Sequence, residues 1–190
     1  WVLLFNPVLS NEDEIIYLSY HDILTGLYNR TFFEEEKKRF DVKRKLPLSL
    51  IMGDVNGLKM INDTFGHEVG DILLREIGSI LVESCRAEDI IARIGGDEFV
   101  ILLADMDEKS VEKLCKRIES VCNDYVDRKD KKIFYVSISL GFATKNTPEH
   151  SMDDLLRVAE KMLYVKKNAE RKATRDKIIK AAKKWTIPKE

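Results

Sequence analysis

Three cysteines in 190 residues, Cys85, Cys115 and Cys122, make neither an even set nor a metal-binding spacing. That excludes a disulfide framework and a cysteine-ligated zinc site. Cys115 and Cys122 fall on the apolar face of a predicted helix, so the thiols read as reduced core residues of a cytosolic protein. No apolar run approaches the length of a membrane span, so no membrane contact is expected of this segment. Trp1–Phe5 is apolar but too short for a signal peptide, and no basic stretch precedes it. Nor is there an excess of one charge. Lys+Arg (32) and Asp+Glu (33) leave a net charge of −1, which argues against a nucleic-acid partner. Internal repeats and low-complexity segments are absent. What remains is 44% hydrophobic and 34% charged, enough for one soluble domain with a core and short extensions. The charge is uneven: Lys161–Lys184 is rich in Lys and Arg.

The most informative stretch is Arg93–Leu103. Two apolar runs, Ile90–Ile94 and Phe99–Leu103, flank Gly95-Gly96-Asp97-Glu98. Gly-Gly between such runs predicts a hairpin, with the glycines taking positive φ at the turn. Two adjacent carboxylates follow. Like charges at a tight tip are unfavourable unless a cation sits there; otherwise the tip is simply solvated.

Elsewhere, periodicity predicts a helix over Glu12–Tyr20, expected to end a linker from an upstream domain, and another over Thr31–Lys43. Leu48–Val55 is nearly continuously apolar and predicts a strand buried on both faces. Short and long helices are expected at Leu58–Phe65 and Val69–Cys85. Val111, Leu114, Cys115, Ile118, Val121 and Cys122 keep helical spacing within Asp107–Val126. Phe134–Phe142 alternates apolar and small polar residues, the pattern of a half-buried strand. A last helix begins near Ser151, where Ser151 and Asp154 form a capping pair, and continues to about Ala182. This order predicts an α+β fold: a mixed, mainly antiparallel sheet of about five strands with helices on both faces.

Asp54 ends the central strand, where open sheets place their ligands. If the hairpin lies alongside, Asp54 and Asp97 meet. Paired carboxylates without His or Cys suit a hard cation such as Mg²⁺, commonly shared with substrate phosphates. The alternative is that Asp54 caps the next helix at Gly57–Leu58. Val55-Asn56-Gly57-Leu58-Lys59 opens that helix and offers backbone N–H groups and one lysine to phosphate.

Gly95-Gly96-Asp97-Glu98-Phe99 resembles the signature of the GGDEF domains, the diguanylate cyclases. So does Asp22-Ile23-Leu24-Thr25-Gly26-Leu27-Tyr28-Asn29-Arg30, the family's opening motif. Asp54 through Asp71 resembles its metal-and-guanine motif, Ser137–Gly141 its late strand, and Ala159–Arg171, with Tyr164, Lys167 and Arg171, its last helix. The resemblance spans His21 to Lys172. It divides the chain into a linker remnant (1–20), a catalytic domain (21–172) and a basic helical tail (173–190).

The resemblance implies a fold similar to nucleotidyl cyclases and polymerase palms. It also implies condensation of two GTP into cyclic di-GMP with release of two pyrophosphates. It assigns Asp54, the Val55 carbonyl and Asp97 to two Mg²⁺ ions, with Mn²⁺ able to substitute, and Glu98 to metal binding or proton removal. Gly95 and Gly96 let the turn approach the nucleotide. Asn62 and Asp71 read guanine; Gly57, Leu58, Lys59, Lys167 and Arg171 hold phosphate. Arg86, Asp89 and Arg117 correspond to a product-binding inhibitory site. Three departures stand out: Asn56 where a second Asp is common, Asp97 at a signature position where Glu also occurs, and Glu170 where a Gly is usual. His67 reads as structural. Because one domain offers one GTP site, the reaction requires a homodimer. A cytoplasmic location is expected, with attachment of a longer protein to a membrane left open.

Overall fold

The computed structural model describes residues 11–125 and 135–182. The expectations for residues 1–10 and 183–190, for Phe134 and for the end of the fifth helix at Val126 therefore lie outside the described residues. The chain forms helices α1 (Asn11–Tyr20), α2 (Arg30–Phe40), α3 (Leu58–Phe65), α4 (His67–Ser84), α5 (Glu108–Asn123) and α6 (Met152–Ala182). The strands are β1 (Leu48–Val55), β2 (Ile90–Arg93), β3 (Glu98–Ala104) and β4 (Ile138–Lys145). Among the described residues the sheet has four strands rather than about five, in the order β2-β3-β1-β4, and every pairing is antiparallel.

Alternation along the strands sorts the core into two layers. Ile51 and Val55 of β1, Phe99, Ile101 and Leu103 of β3, and Ile138 and Leu140 of β4 face one way. They pack with Leu73, Ile77 and Leu81 of α4 and Val111, Leu114 and Ile118 of α5. Leu48, Leu50 and Met52 of β1 and Val100 and Leu102 of β3 face the other way. They meet Phe33 and Phe40 of α2 and Leu155, Ala159 and Leu163 of α6. Helices on both faces explain why all eight residues of β1 are buried. Of the six apolar positions expected to line α5, only Val121 stays exposed.

Helix starts follow side-chain chemistry. Asn29 accepts a hydrogen bond from Phe32 N at the start of α2, and Asp107 accepts from Ser110 N at α5. Ser151 Oγ accepts from Asp154 N at 3.0 Å while Asp154 Oδ2 accepts from Ser151 N at 3.2 Å, a reciprocal cap with Asp in the usual Glu role.

The late strand corrects the expectation of a half-buried strand running from Phe134 to Phe142. Strand β4 begins at Ile138, and Ser139 on its supposedly open face is fully buried. The covering element is α6, which approaches Gly141 at backbone distance. A Cβ on Gly141 would stand 2.3 Å from Leu163 N and 2.4 Å from Ala159 O. The small residues of the alternation are there to seat a helix, not to face water.

Candidate active site

The hairpin and the strand end meet. Asp54 lies directly opposite Glu98 in the β1–β3 register, and Val55 N donates to the Asp97 carbonyl at 2.9 Å. The glycines of the turn differ from expectation, because neither Gly95 nor Gly96 has a positive φ. A Cβ on Gly95 would lie 2.5 Å from Glu98 Oε2, the tip of a side chain that can move aside, and 3.3 Å from Glu98 Cβ. The carboxylate of Glu98 folds beneath the turn and faces Arg30 at 3.9 Å.

The turn is gripped from the opening motif. Arg93 donates through Nη2 to the Gly96 carbonyl at 2.8 Å and through Nη1 to both oxygens of Asp22 at 3.0 and 3.1 Å. Arg30 Nε donates to the Ile94 carbonyl at 2.8 Å. Burial alone would raise the pKa of Asp22, but hydrogen bonds from Thr25 and Arg93 outweigh it and hold the carboxyl below its ordinary value. Planar guanidinium geometry suits this bidentate role. No role for Asp22, Arg30 or Arg93 follows from spacing alone, since Asp22 and Arg93 lie 71 positions apart.

Asp54 is buried, and its oxygens differ. Oδ2 pairs with Lys167 Nζ at 2.5 Å; Oδ1 is buried with no hydrogen-bond partner. Burial pushes its pKa up, Lys167 pulls it down, and the charges of Asp97 and Glu98 push it up again. The capping alternative fails: Gly57 is the N-cap of α3, with no side-chain bond. An orphaned carboxylate oxygen, an ammonium on its twin and two neighbouring carboxylates are the surroundings in which a divalent cation fits. Among the described residues no three acidic, His or Cys side chains converge closely enough to hold an ion alone. A cation here would need the Val55 carbonyl, substrate oxygens or water as well, which is the usual pattern for Mg²⁺.

Beyond Asp54 the chain turns through Gly57, in the left-handed region at φ 78°, into α3. Between this turn and α6 lies an open cavity of about 650 Å³. Its wall includes Gly57, Lys59, Asp63, Lys167, Arg171 and Arg175. Asn56 fastens the turn to β4: its backbone N donates to the Ser137 carbonyl at 2.9 Å and its Nδ2 to Ser137 Oγ at 3.0 Å. Ser139 Oγ lies within hydrogen-bond distance of both Asn56 Oδ1 and Glu170 Oε2. Glu170 thus anchors α6 to the sheet and is not among the residues around the cavity.

Asn62 on α3 and Asp71 on α4 flank the turn at Gly66. The carboxamide of Asn62 rests on Gly70, where a Cβ would stand 1.8 Å from Oδ1. That buried oxygen has no hydrogen-bond partner. Neither residue lines this cavity, and nor does Leu58. His67 is the exposed first residue of α4.

At the far end of α4, Asp89 turns inward and accepts from Arg86 N at 2.7 Å. Burial raises its pKa, partly offset by that bond. Arg86 is exposed, and Arg117 donates to the Ser84 carbonyl, so the three residues share one corner. Burial also pushes the free thiols of Cys85, Cys115 and Cys122 up to about 12, which keeps them protonated and inert.

A family model described as "Diguanylate cyclase, GGDEF domain" matches residues 19–173. The probable diguanylate cyclase DgcE of Escherichia coli strain K12 is 32% identical over 176 residues, 90% of this chain and 16% of that protein. Diguanylate cyclase DgcS of Shewanella oneidensis is 34% identical over 174 residues, 89% of this chain and 57% of that protein. The chain therefore spans between 16% and 57% of the length of these two relatives. The GGDEF domain of DgcB from Caulobacter crescentus, solved in complex with c-di-GMP, superposes with a TM-score of 0.72 at 25% identity. That match covers 80% of this chain and 91% of the other. Among the described residues no helix is long and apolar enough to cross a membrane.

Proposed function

The chain belongs to the diguanylate cyclase GGDEF domain family, and from that premise we propose that it condenses two GTP into cyclic di-GMP with release of two pyrophosphates. The observation that carries this reading is the state of Asp54, one oxygen orphaned and the other held by Lys167, beside a turn bearing Asp97 and Glu98. The proposed cation ligands are Asp54, the Val55 carbonyl and Asp97. Mg²⁺ or Mn²⁺ bound there would supply Lewis acidity at the ribose 3′-hydroxyl and at the departing pyrophosphate.

The chain's own residues do the remaining work. The Gly57–Lys59 turn, Lys167 and Arg171 hold the β- and γ-phosphates. Asn62 and Asp71 read the guanine edge; a carboxylate facing N1–H and the 2-amino group rejects adenine, which lacks both. The 3′-oxygen of one GTP bonds to the α-phosphorus of the other as the bond to pyrophosphate breaks. The hydroxyl proton leaves to a carboxylate, for which Glu98 is the proposed acceptor if it is not itself a cation ligand. A second, symmetrical step closes the ring. Positioning and charge neutralisation account for most of the catalysis.

Each domain offers one nucleotide site, so two copies must face each other. Helix α1 leaves Ile15, Ile16 and Leu18 exposed, an apolar face that fits a second copy in a homodimer. GTP is thus the proposed substrate and cyclic di-GMP the product, in the cytoplasm. Arg86, Asp89 and Arg117 form the proposed inhibitory product site, as arginine forks pair well with phosphate and guanine edges.

Incubation with GTP and Mg²⁺ should give a product with the mass of cyclic di-GMP. A monomeric cyclic nucleotide, or recovery of GTP alone, would overturn the reading in favour of a different cyclase or a nucleotide-sensing domain. Arg86→Ala should leave the initial rate unchanged and raise the concentration of cyclic di-GMP needed for half-inhibition about tenfold, the loss expected for one guanidinium–phosphate pair. An unaltered inhibition curve would remove the inhibitory assignment.

A further inference from the structure

Helix α6 does not stop where the family match stops. It runs unbroken past residue 173 to Ala182, and three residues of this extension, Thr174, Arg175 and Ile178, line the same cavity as Gly57, Lys59, Lys167 and Arg171. Lys167, Arg171 and Arg175 are spaced four apart, which stacks them on one face of the helix. Ile178 follows three residues later and is only 1% exposed, although its neighbours Lys177 and Ile179 are exposed. It belongs to the same buried apolar cluster as Val55 and Ile61 and also lies on Gly57, where a Cβ would stand 2.1 Å from Ile178 Cδ1. The extension is thus seated on the turn that opens α3.

The charges around this cavity do not balance. Four cations, Lys59, Lys167, Arg171 and Arg175, line it with one carboxylate, Asp63. Lys167 is engaged by Asp54. Among the described residues no hydrogen bond or ion pair is made by the side chains of Lys59, Arg171 or Arg175. Like charges four apart on a helix repel, so Arg171 and Arg175 on one wall are unfavourable until an anion lies between them and the turn. About 650 Å³ admits a triphosphate.

We infer that Arg175 is a further phosphate-binding residue, engaging the polyphosphate tail of the nucleotide, and that Ile178 positions it by pinning the end of α6 to Gly57. The inference rests on the proposed use of GTP and extends the site beyond the family module. Ile178 acts through its hold on the helix.

The test compares two ligands by calorimetry on the full chain with Mg²⁺. One is α,β-methylene GTP, whose P–C bond prevents condensation; the other is GMP, which lacks the outer phosphates. Arg175→Gln should weaken the analogue about tenfold, as expected for loss of one charge-assisted contact. It should leave GMP affinity unchanged, while Arg175→Lys retains most of the analogue's affinity. Ile178→Ala should shift the analogue in the same direction and spare GMP. Unchanged affinity of Arg175→Gln for the analogue would overturn the inference while leaving the proposed function intact. So would tighter binding, which would mark the extension as an obstruction, or equal weakening of both ligands. If the unmodified protein binds neither ligand, the proposed use of GTP fails and the inference with it.

Discussion

Asp54→Asn should lower cyclic di-GMP synthesis by roughly 10³-fold or more, the scale set by removing one preorganised charge from a transition state. The fold should survive, because the site disfavours the charged form of Asp54. Burial raises its pKa against the pull of Lys167, and Asp97 and Glu98 add to the rise. The sign follows from linkage. An acid whose folded pKa is raised contributes stability below its unfolded pKa and loses that contribution as pH climbs through the folded value. At neutral pH the ionised Asp54 therefore disfavours folding. The melting temperature of Asp54→Asn relative to the unmodified protein should improve as pH rises from the ordinary aspartate range to neutrality. Divalent cation should raise the melting temperature of the unmodified protein and not that of the variant. Thermal melts across pH, with and without Mg²⁺, measure all of this. Undiminished synthesis in Asp54→Asn would remove the cation assignment at its root.

The largest effect on stability should come from Gly141→Ala. A methyl group there meets Leu163 N, Ala159 O and Leu163 Cα, all backbone atoms of α6, at 2.3, 2.4 and 2.7 Å. Backbone cannot rotate aside as a side-chain tip can, so α6 must lift off β4. Overpacking of this kind costs about 3 kcal/mol, or roughly a 10 °C fall in melting temperature for a domain of this size. Because α6 also carries Lys167, Arg171 and Arg175, GTP affinity should fall along with stability. A melting temperature within about 2 °C of the unmodified protein would show that the helix–strand seam is looser than its geometry indicates.

Periodicity and local chemistry sufficed for most of the elements. The apolar run of β1, the helical spacing of α5 and the Ser151–Asp154 cap were all legible, because each is written in residues a few positions apart. So is the meeting of Asp54 with the hairpin, given that the two strands are neighbours. The glycines mark the turn without adopting positive φ, and Gly95 lies against the Glu98 side chain. Alternation alone predicts that Ser139 and Gly141 face water, because an alternating strand looks the same whether its second face meets solvent or a closely seated helix.

Residue pattern is enough for the α+β class, the two buried faces of the central strand and the family to which the domain belongs. Hydrophobic period and short motifs are local properties, and these three features depend on nothing else. The tertiary structure alone decided that Lys167 sits on Asp54, that Arg93 ties Asp22 to the turn, and that Lys145 is buried against Asp41 and the His150 carbonyl. It alone also set Ile178 on Gly57. Those pairings, most of them between residues far apart in the chain, arise because burying a charge or an apolar group forces it to find whichever partner the packing brings near.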